Sequence, residues 1–111
     1  MIRILRGDVV WADLNPTKEH EQIGARPVLV LSHDVFNQKS GNVIAMTITS
    51  KDPLVSFPLA YELKDPNMPK RSWVLLSHIR ILSSLRLGKK ITRLSERTLS
   101  DVVSGLNEII H

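Results

Sequence analysis

An apolar run, Pro27-Val28-Leu29-Val30-Leu31, stands directly behind a polar stretch that holds His20, Glu21, Gln22 and Arg26. Five consecutive apolar residues with no polar alternation predict a buried strand. Pro27 fixes its own φ and pushes Arg26 into an extended conformation, so this cation has little freedom at the mouth of the strand. Groups able to move protons or hold anions are thereby hung on a rigid element, the arrangement that a site needs. The bland alternative is a solvated loop that merely feeds a strand.

The strand signal recurs along the chain. Val9 to Leu14 closes at Asn15-Pro16, and Asn42 to Thr49 opens behind Ser40-Gly41. Leu59 to Leu63 ends in Lys64-Asp65-Pro66-Asn67, and Ser72 to Ser83 is the longest run, interrupted by His78 and Arg80. Turn residues bound each of them. Between Pro27–Ser32 and Asn42–Thr49, the segment Ser32-His33-Asp34-Val35-Phe36-Asn37 predicts a single helical turn capped by Ser32 or Asp34.

The period changes near the end of the chain. Leu99, Val102, Val103, Leu106, Ile109 and Ile110 fall at spacings of three and four, one stripe of a helix. Ser95 is the expected N-cap, and Leu94 with Leu99 has the spacing of a hydrophobic staple. Gly105 costs such a helix about 1 kcal/mol relative to Ala, so packing rather than propensity must hold it. A lid across a sheet is expected, with a partner-binding helix as the alternative. Short strands with few helices between them predict a mainly β fold with minor α, a small curled antiparallel sheet or barrel. With no linker or repeat in sight, residues 1–111 are expected to form one domain.

Composition narrows the chemistry. A net charge of +4 and a pI of about 9.8 suit an anionic partner, nucleic acid or an acidic protein segment. The absence of cysteine removes disulfides and thiolate metal sites. No apolar run is long enough for a membrane span or a signal peptide, and a cytoplasmic protein is expected. His20, His33, His78 and His111 show no metal-ligand spacing, and no carboxylate pair stands where a two-metal site would need it. Neither a phosphate-cradling glycine loop nor a Gly-x-Ser-x-Gly elbow occurs. No metal and no cofactor is expected.

Glu21-Gln22-Ile23-Gly24-Ala25-Arg26-Pro27-Val28-Leu29-Val30-Leu31-Ser32 resembles the signature of the MazF/PemK toxins, the endoribonuclease halves of bacterial type II toxin–antitoxin pairs. Further pieces match in order: Arg6 to Leu14, Asn37, Thr47-Ile48-Thr49, Ser72-Trp73-Val74 and Ile79-Arg80. The resemblance spans nearly the whole chain. It implies an SH3-like, CcdB-like small antiparallel barrel with a C-terminal helix, acting as a homodimer. It also implies a metal-independent and ribosome-independent enzyme that cuts single-stranded mRNA at a specific motif, restrained by a cognate antitoxin with an acidic tail.

Metal-free RNA cleavage needs a group to take the 2′-hydroxyl proton, one to protonate the 5′-oxygen, and one to neutralise the anionic transition state. The resemblance implies that Arg26 does the last, where its planar fork suits two phosphate oxygens, and that Thr49 matches the catalytic threonine. Glu21 is the candidate base, or the group that orients Arg26. His20, Gln22, Ser32, His78 and Arg80 are the expected RNA contacts. Bland readings stand beside these: Thr49 as an ordinary strand residue, and Arg80, opposite in face to Ile79 and Ile81, as an outward charge or buried partner. Trp11 and Trp73 are expected in the core, with base stacking as the alternative. Arg86, Lys89, Lys90 and Arg93 form a basic run, either solvated surface or a phosphate patch. Gln38–Gly41 and Lys51–Phe57 are the candidate walls of the RNA site.

Two positions depart from the family pattern. The loop from Pro16 to Glu21 lacks the common glycine, and His78 stands where the family often has Gln. His78 is either a proton-transfer group or a hydrogen-bonding substitute. A related fold serves toxins that bind DNA gyrase without cutting RNA, which is the runner-up reading. A plain SH3-like binding module is the third.

Overall fold

The computed structural model describes residues 3–14 and 25–111. Six strands, β1 (Asp8–Asp13), β2 (Ala25–Val30), β3 (Asn42–Thr49), β4 (Ala60–Leu63), β5 (Ser72–Ser83) and β6 (Leu87–Arg93), form one antiparallel sheet in the order β4-β5-β3-β2-β1-β6. Helix α1 (Asp34–Ser40) links β2 to β3, and α2 (Glu96–Ile110) closes the chain. The expected mainly β architecture, a curled sheet with a C-terminal helix, is what the chain adopts.

The sheet is buried on both faces, which explains the unbroken apolar run in β2. On one face Val9, Leu29, Met46, Ile48, Val74 and Leu76 pack with Leu99 and Val102 of α2. On the other, Val10, Ala12, Val28, Val30, Val43, Ala45 and Leu82 gather with Ile4, Leu14 and Leu87. Strand alternation divides the residues cleanly between the two clusters.

β5 is too long to be straight. Its 12 residues would extend to about 40 Å at 3.3 Å each, against a longest molecular dimension of 34 Å. The bend comes where Ile48 pairs with Val74 but Met46 with Ile79, so that β5 uses five residues against two of β3.

α2 starts as its sequence predicts. The Ser95 hydroxyl accepts the Thr98 N–H at 3.1 Å, and Leu94 and Leu99 are both buried as a staple requires. Gly105 faces the core: a Cβ there would lie 2.4 Å from Leu76 Cδ2 and 2.7 Å from Phe57 Cε2. Close approach of the helix to the sheet is the reason for the glycine. Ile110 leaves the stripe and is exposed.

Four expectations need correction. α1 is longer than one turn, and its N-cap is His33, with no side-chain capping bond. Ser32 is occupied elsewhere: its hydroxyl donates to Asn37 Oδ1 and accepts the Ile44 N–H at 2.9 Å. Asn37 Nδ2 then donates to the carbonyls of Ile4 (2.8 Å) and Ser32 (3.1 Å), a buried knot that ties the N-terminal segment to the β2–α1 turn. Trp11 is 36% exposed rather than in the core, whereas Trp73 is buried as expected. The basic run is in large part a strand, β6, paired with β1 at the sheet's edge. Outward lysines suit an edge strand, and Lys90 also reaches the buried Asp8 carboxylate at 3.0 Å.

Candidate functional site

Strand register builds a transverse row. Ala12 pairs with Arg26, Thr49 with Trp73, and Trp73 with Glu62. The β2–β3 ladder runs Val30↔Ala45, Leu29↔Met46, Val28↔Thr47. Carried two residues further, that register sets Arg26 across from Thr49. Direct cross-strand partners share a face. Ala12, Arg26, Thr49, Trp73 and Glu62 therefore line one end of the sheet on the face away from α2. Adjacent strands lie about 5 Å apart, well within the reach of a guanidinium.

Arg26 is exposed at the start of β2, and among the described residues none holds its guanidinium. Thr49 is half-buried at the end of β3, and its hydroxyl oxygen accepts the Lys51 N–H at 3.1 Å. Among the described residues the hydroxyl proton finds only the Lys51 carbonyl at 3.5 Å, too long to hold it well. It is free to be offered to an incoming anion. At the same end, Arg86 Nη1 donates to the Asp13 carbonyl at 3.2 Å.

The other expected residues scatter. Arg80 lies across from Ala45, on the same face as Thr49, and is exposed. Four residues of β3 separate the two rows, about 13 Å. His78 sits in the β5 bend and is exposed. Ser32 is buried in the knot with Asn37, so its place is in the framework rather than at a surface. His20, Glu21 and Gln22 lie outside the described residues.

Sequence reading missed Arg71. Its Nε donates to Glu62 Oε2 at 2.6 Å and its Nη2 to Oε1 at 3.4 Å, while its Cζ stands 4.8 Å from the Trp73 ring centroid. The paired guanidinium holds the Glu62 carboxyl below its ordinary range, and Glu62 in turn raises Arg71. The Arg71-Ser72-Trp73 spacing could have revealed it, since residues two apart on a strand share a face. A cavity of about 1040 Å³ lies elsewhere: Ile4, Val43, Leu85 and Lys89 bound it together with Gln38 and Gly41 of the expected RNA-site wall, and it takes in neither Arg26 nor Thr49. Among the described residues no three His, Asp or Glu side chains converge as metal ligands. Nor is any described helix long and apolar enough to cross a membrane.

With this geometry in view, comparison with known proteins is decisive. The profile of the PemK-like, MazF-like toxins of type II toxin–antitoxin systems matches residues 5–110. The chain belongs to that family. Its fold is similar to MazF from Deinococcus radiodurans, with a TM-score of 0.81 and 27% identity over 99% of this chain and 98% of that one. A MazE–MazF crystal structure from the same organism matches with a TM-score of 0.83 and 28% identity, covering 99% and 97%. A mycobacterial endoribonuclease in complex with its cognate antitoxin shares the fold at 0.76 and 24% identity, covering 99% and 95%.

Proposed function

We propose that this toxin is a sequence-specific endoribonuclease that cuts single-stranded mRNA without the ribosome and without a metal ion. The 2′-hydroxyl attacks the neighbouring phosphorus and the 5′-oxygen leaves, giving a 2′,3′-cyclic phosphate and a 5′-hydroxyl. Arg26 neutralises the charge that develops on the phosphate oxygens, and Thr49 donates its hydroxyl proton to one of them. Glu21 accepts the 2′-hydroxyl proton or orients Arg26. His20, Gln22, His78 and Arg80 bind flanking RNA, and Ser32 supports them from the framework.

The observation that carries this reading is the row itself: an exposed Arg26 that no described residue holds and a hydroxyl with a loosely held proton, on neighbouring strands and one face. A rigid sheet preorganises both groups, which is where most transition-state stabilisation originates. A second copy of the chain completes the toxin: Ile79 and Ile81 are 41% and 67% exposed, and a homodimer would cover them. The partner is a cognate antitoxin whose acidic C-terminal tail competes with RNA for Arg26, by the same charge complementarity. The pair works in the cytoplasm.

The test is a diverse RNA pool incubated with purified protein in EDTA, with both ends of every product mapped. Cleavage at one motif with cyclic phosphate ends is expected. Cleavage that vanishes in EDTA and returns with Mg²⁺ overturns the mechanism. An intact pool, with capture of gyrase instead, favours the binding reading.

A further inference from the structure

Beside Thr49 stands a flat, charged surface that the cleavage chemistry leaves unused. Trp73 is the direct strand partner of Thr49, so the two side chains share a face. The Arg71 guanidinium covers the Trp73 ring, which is only 8% exposed, with 4.8 Å from Cζ to the ring centroid. Glu62, on the far side of Trp73 in the same row, takes two of the guanidinium's hydrogen bonds. Three contacts thus fix a plane whose inner side meets the indole. Its outer side faces solvent, since the Arg71 side chain stays 67% exposed.

We propose that the outer face of the Arg71 guanidinium is a stacking platform for one nucleobase of the bound RNA, next to the scissile position at Thr49. The proposal rests on the endoribonuclease reading above. A phosphate contact is the obvious rival for any arginine, and the neighbours argue against it. The Glu62 carboxylate occupies the Nε–Nη2 edge, one of the two edges that can grip a phosphate, and Asp52 adds a second negative charge close enough to act on Arg71. Much of the cation's charge is compensated, while the planar surface is not covered. Unstacked bases in single-stranded RNA are held on aromatic rings and on guanidinium planes alike. Held by Glu62 and Trp73, Arg71 has little rotamer freedom left to lose when a base arrives.

The test uses the full-length toxin and an uncleavable 2′-deoxy analogue of the RNA, with 2-aminopurine placed at each position in turn. Wild type should quench the probe strongly at one position beside the scissile bond. Arg71→Ala should abolish that quenching alone, with roughly a tenfold loss of affinity. In cleavage assays it should raise KM for RNAs with a purine there, with kcat little changed and the thermal midpoint intact. Arg71→Phe, which restores a plane without charge, should recover much of the quenching, and Arg71→Lys should not. No quenching at any position overturns the platform. So does a uniform loss of affinity with a shallower salt dependence, which marks a phosphate contact. A fall in thermal midpoint with unchanged position preference marks a purely structural pair and overturns it as well. If wild type cuts no RNA, the nuclease reading fails, while the quenching arm still judges the platform.

Discussion

The two halves of β5 are one strand with opposite fates. Ser72 to Leu76 is buried or half-buried at every position, under α2 on one face and beside β4 at the edge. Ser77 to Ile81 is exposed at every position, although Ile79 and Ile81 are as apolar as anything in the first half. The local pattern separates only one face of them: His78 and Arg80 interrupt the apolar run that Trp73 to Leu76 keeps unbroken, but nothing local sets Ile79 and Ile81 apart from Val74 and Leu76. What differs is cover: α2 reaches Val74 and Leu76, and the strand bends before Ile79. Apolar alternation thus sets where a strand forms, while burial is decided by what the rest of the chain lays over it. The bare half presents isoleucines on one side and His78 with Arg80 on the other. That division fits a surface with two occupants, a second protomer and an RNA strand.

The largest effect should come from the covered half. Leu76 is fully buried against Gly105 of α2. Leu76→Ala removes that contact and leaves a cavity, an expected loss of about 2–5 kcal/mol read by denaturant unfolding. A loss below about 1 kcal/mol would mean that α2 is not what distinguishes the halves. Arg26→Ala should act in the opposite sense, with about 10²–10³ lost in cleavage rate and no change in thermal midpoint. Arg26→Lys should not restore the rate; if it does, a point charge suffices and the forked geometry is irrelevant. In the bare half, Ile81→Asp should leave the folded content unchanged and shift the protein from dimer to monomer in sedimentation. If the variant stays dimeric, the exposed isoleucines face something other than a second copy.

Much of this was legible in the sequence, at different depths. β3 and β5 end where their apolar runs end, because turn residues punctuate them. The α2 cap and staple were readable for the same reason, being local chemistry between residues three to five apart. β6 was not, because Leu87-Gly88-Lys89-Lys90-Ile91-Thr92-Arg93 reads as charged surface until β1 is there to pair with it. The α1 cap was missed because Ser32 had a better partner in Asn37, and that partnership needs the folded N-terminal segment. At the site, Arg26 and Thr49 carried a motif. Arg71 gained its place only through Glu62 and Trp73, residues that a register, not a spacing, brings together.

The smallest expected effect concerns His78, where the sequence left two roles open. Its exposure in the bend of β5 gives it access to bound RNA without any partner that would fix its ring for proton transfer among the described residues. A general acid or base must stand within hydrogen-bond reach of the proton it moves. Arg80, two residues on and on the same face, lies about 13 Å along the sheet from the Thr49 row. His78 is nearer, inside the bend, and no described residue orients its ring toward that row. On the function proposed above, its ring is a hydrogen-bond donor and acceptor to flanking RNA, a task the amide of Gln performs as well. His78→Gln should change kcat/KM by less than about threefold and leave the shape of the pH–rate profile unaltered. Imidazole is the side chain that ordinarily titrates in the physiological range. If the substitution flattens one limb of the profile and costs tenfold or more in kcat, His78 moves protons. The bare half of β5 then belongs to the reaction itself rather than to RNA binding.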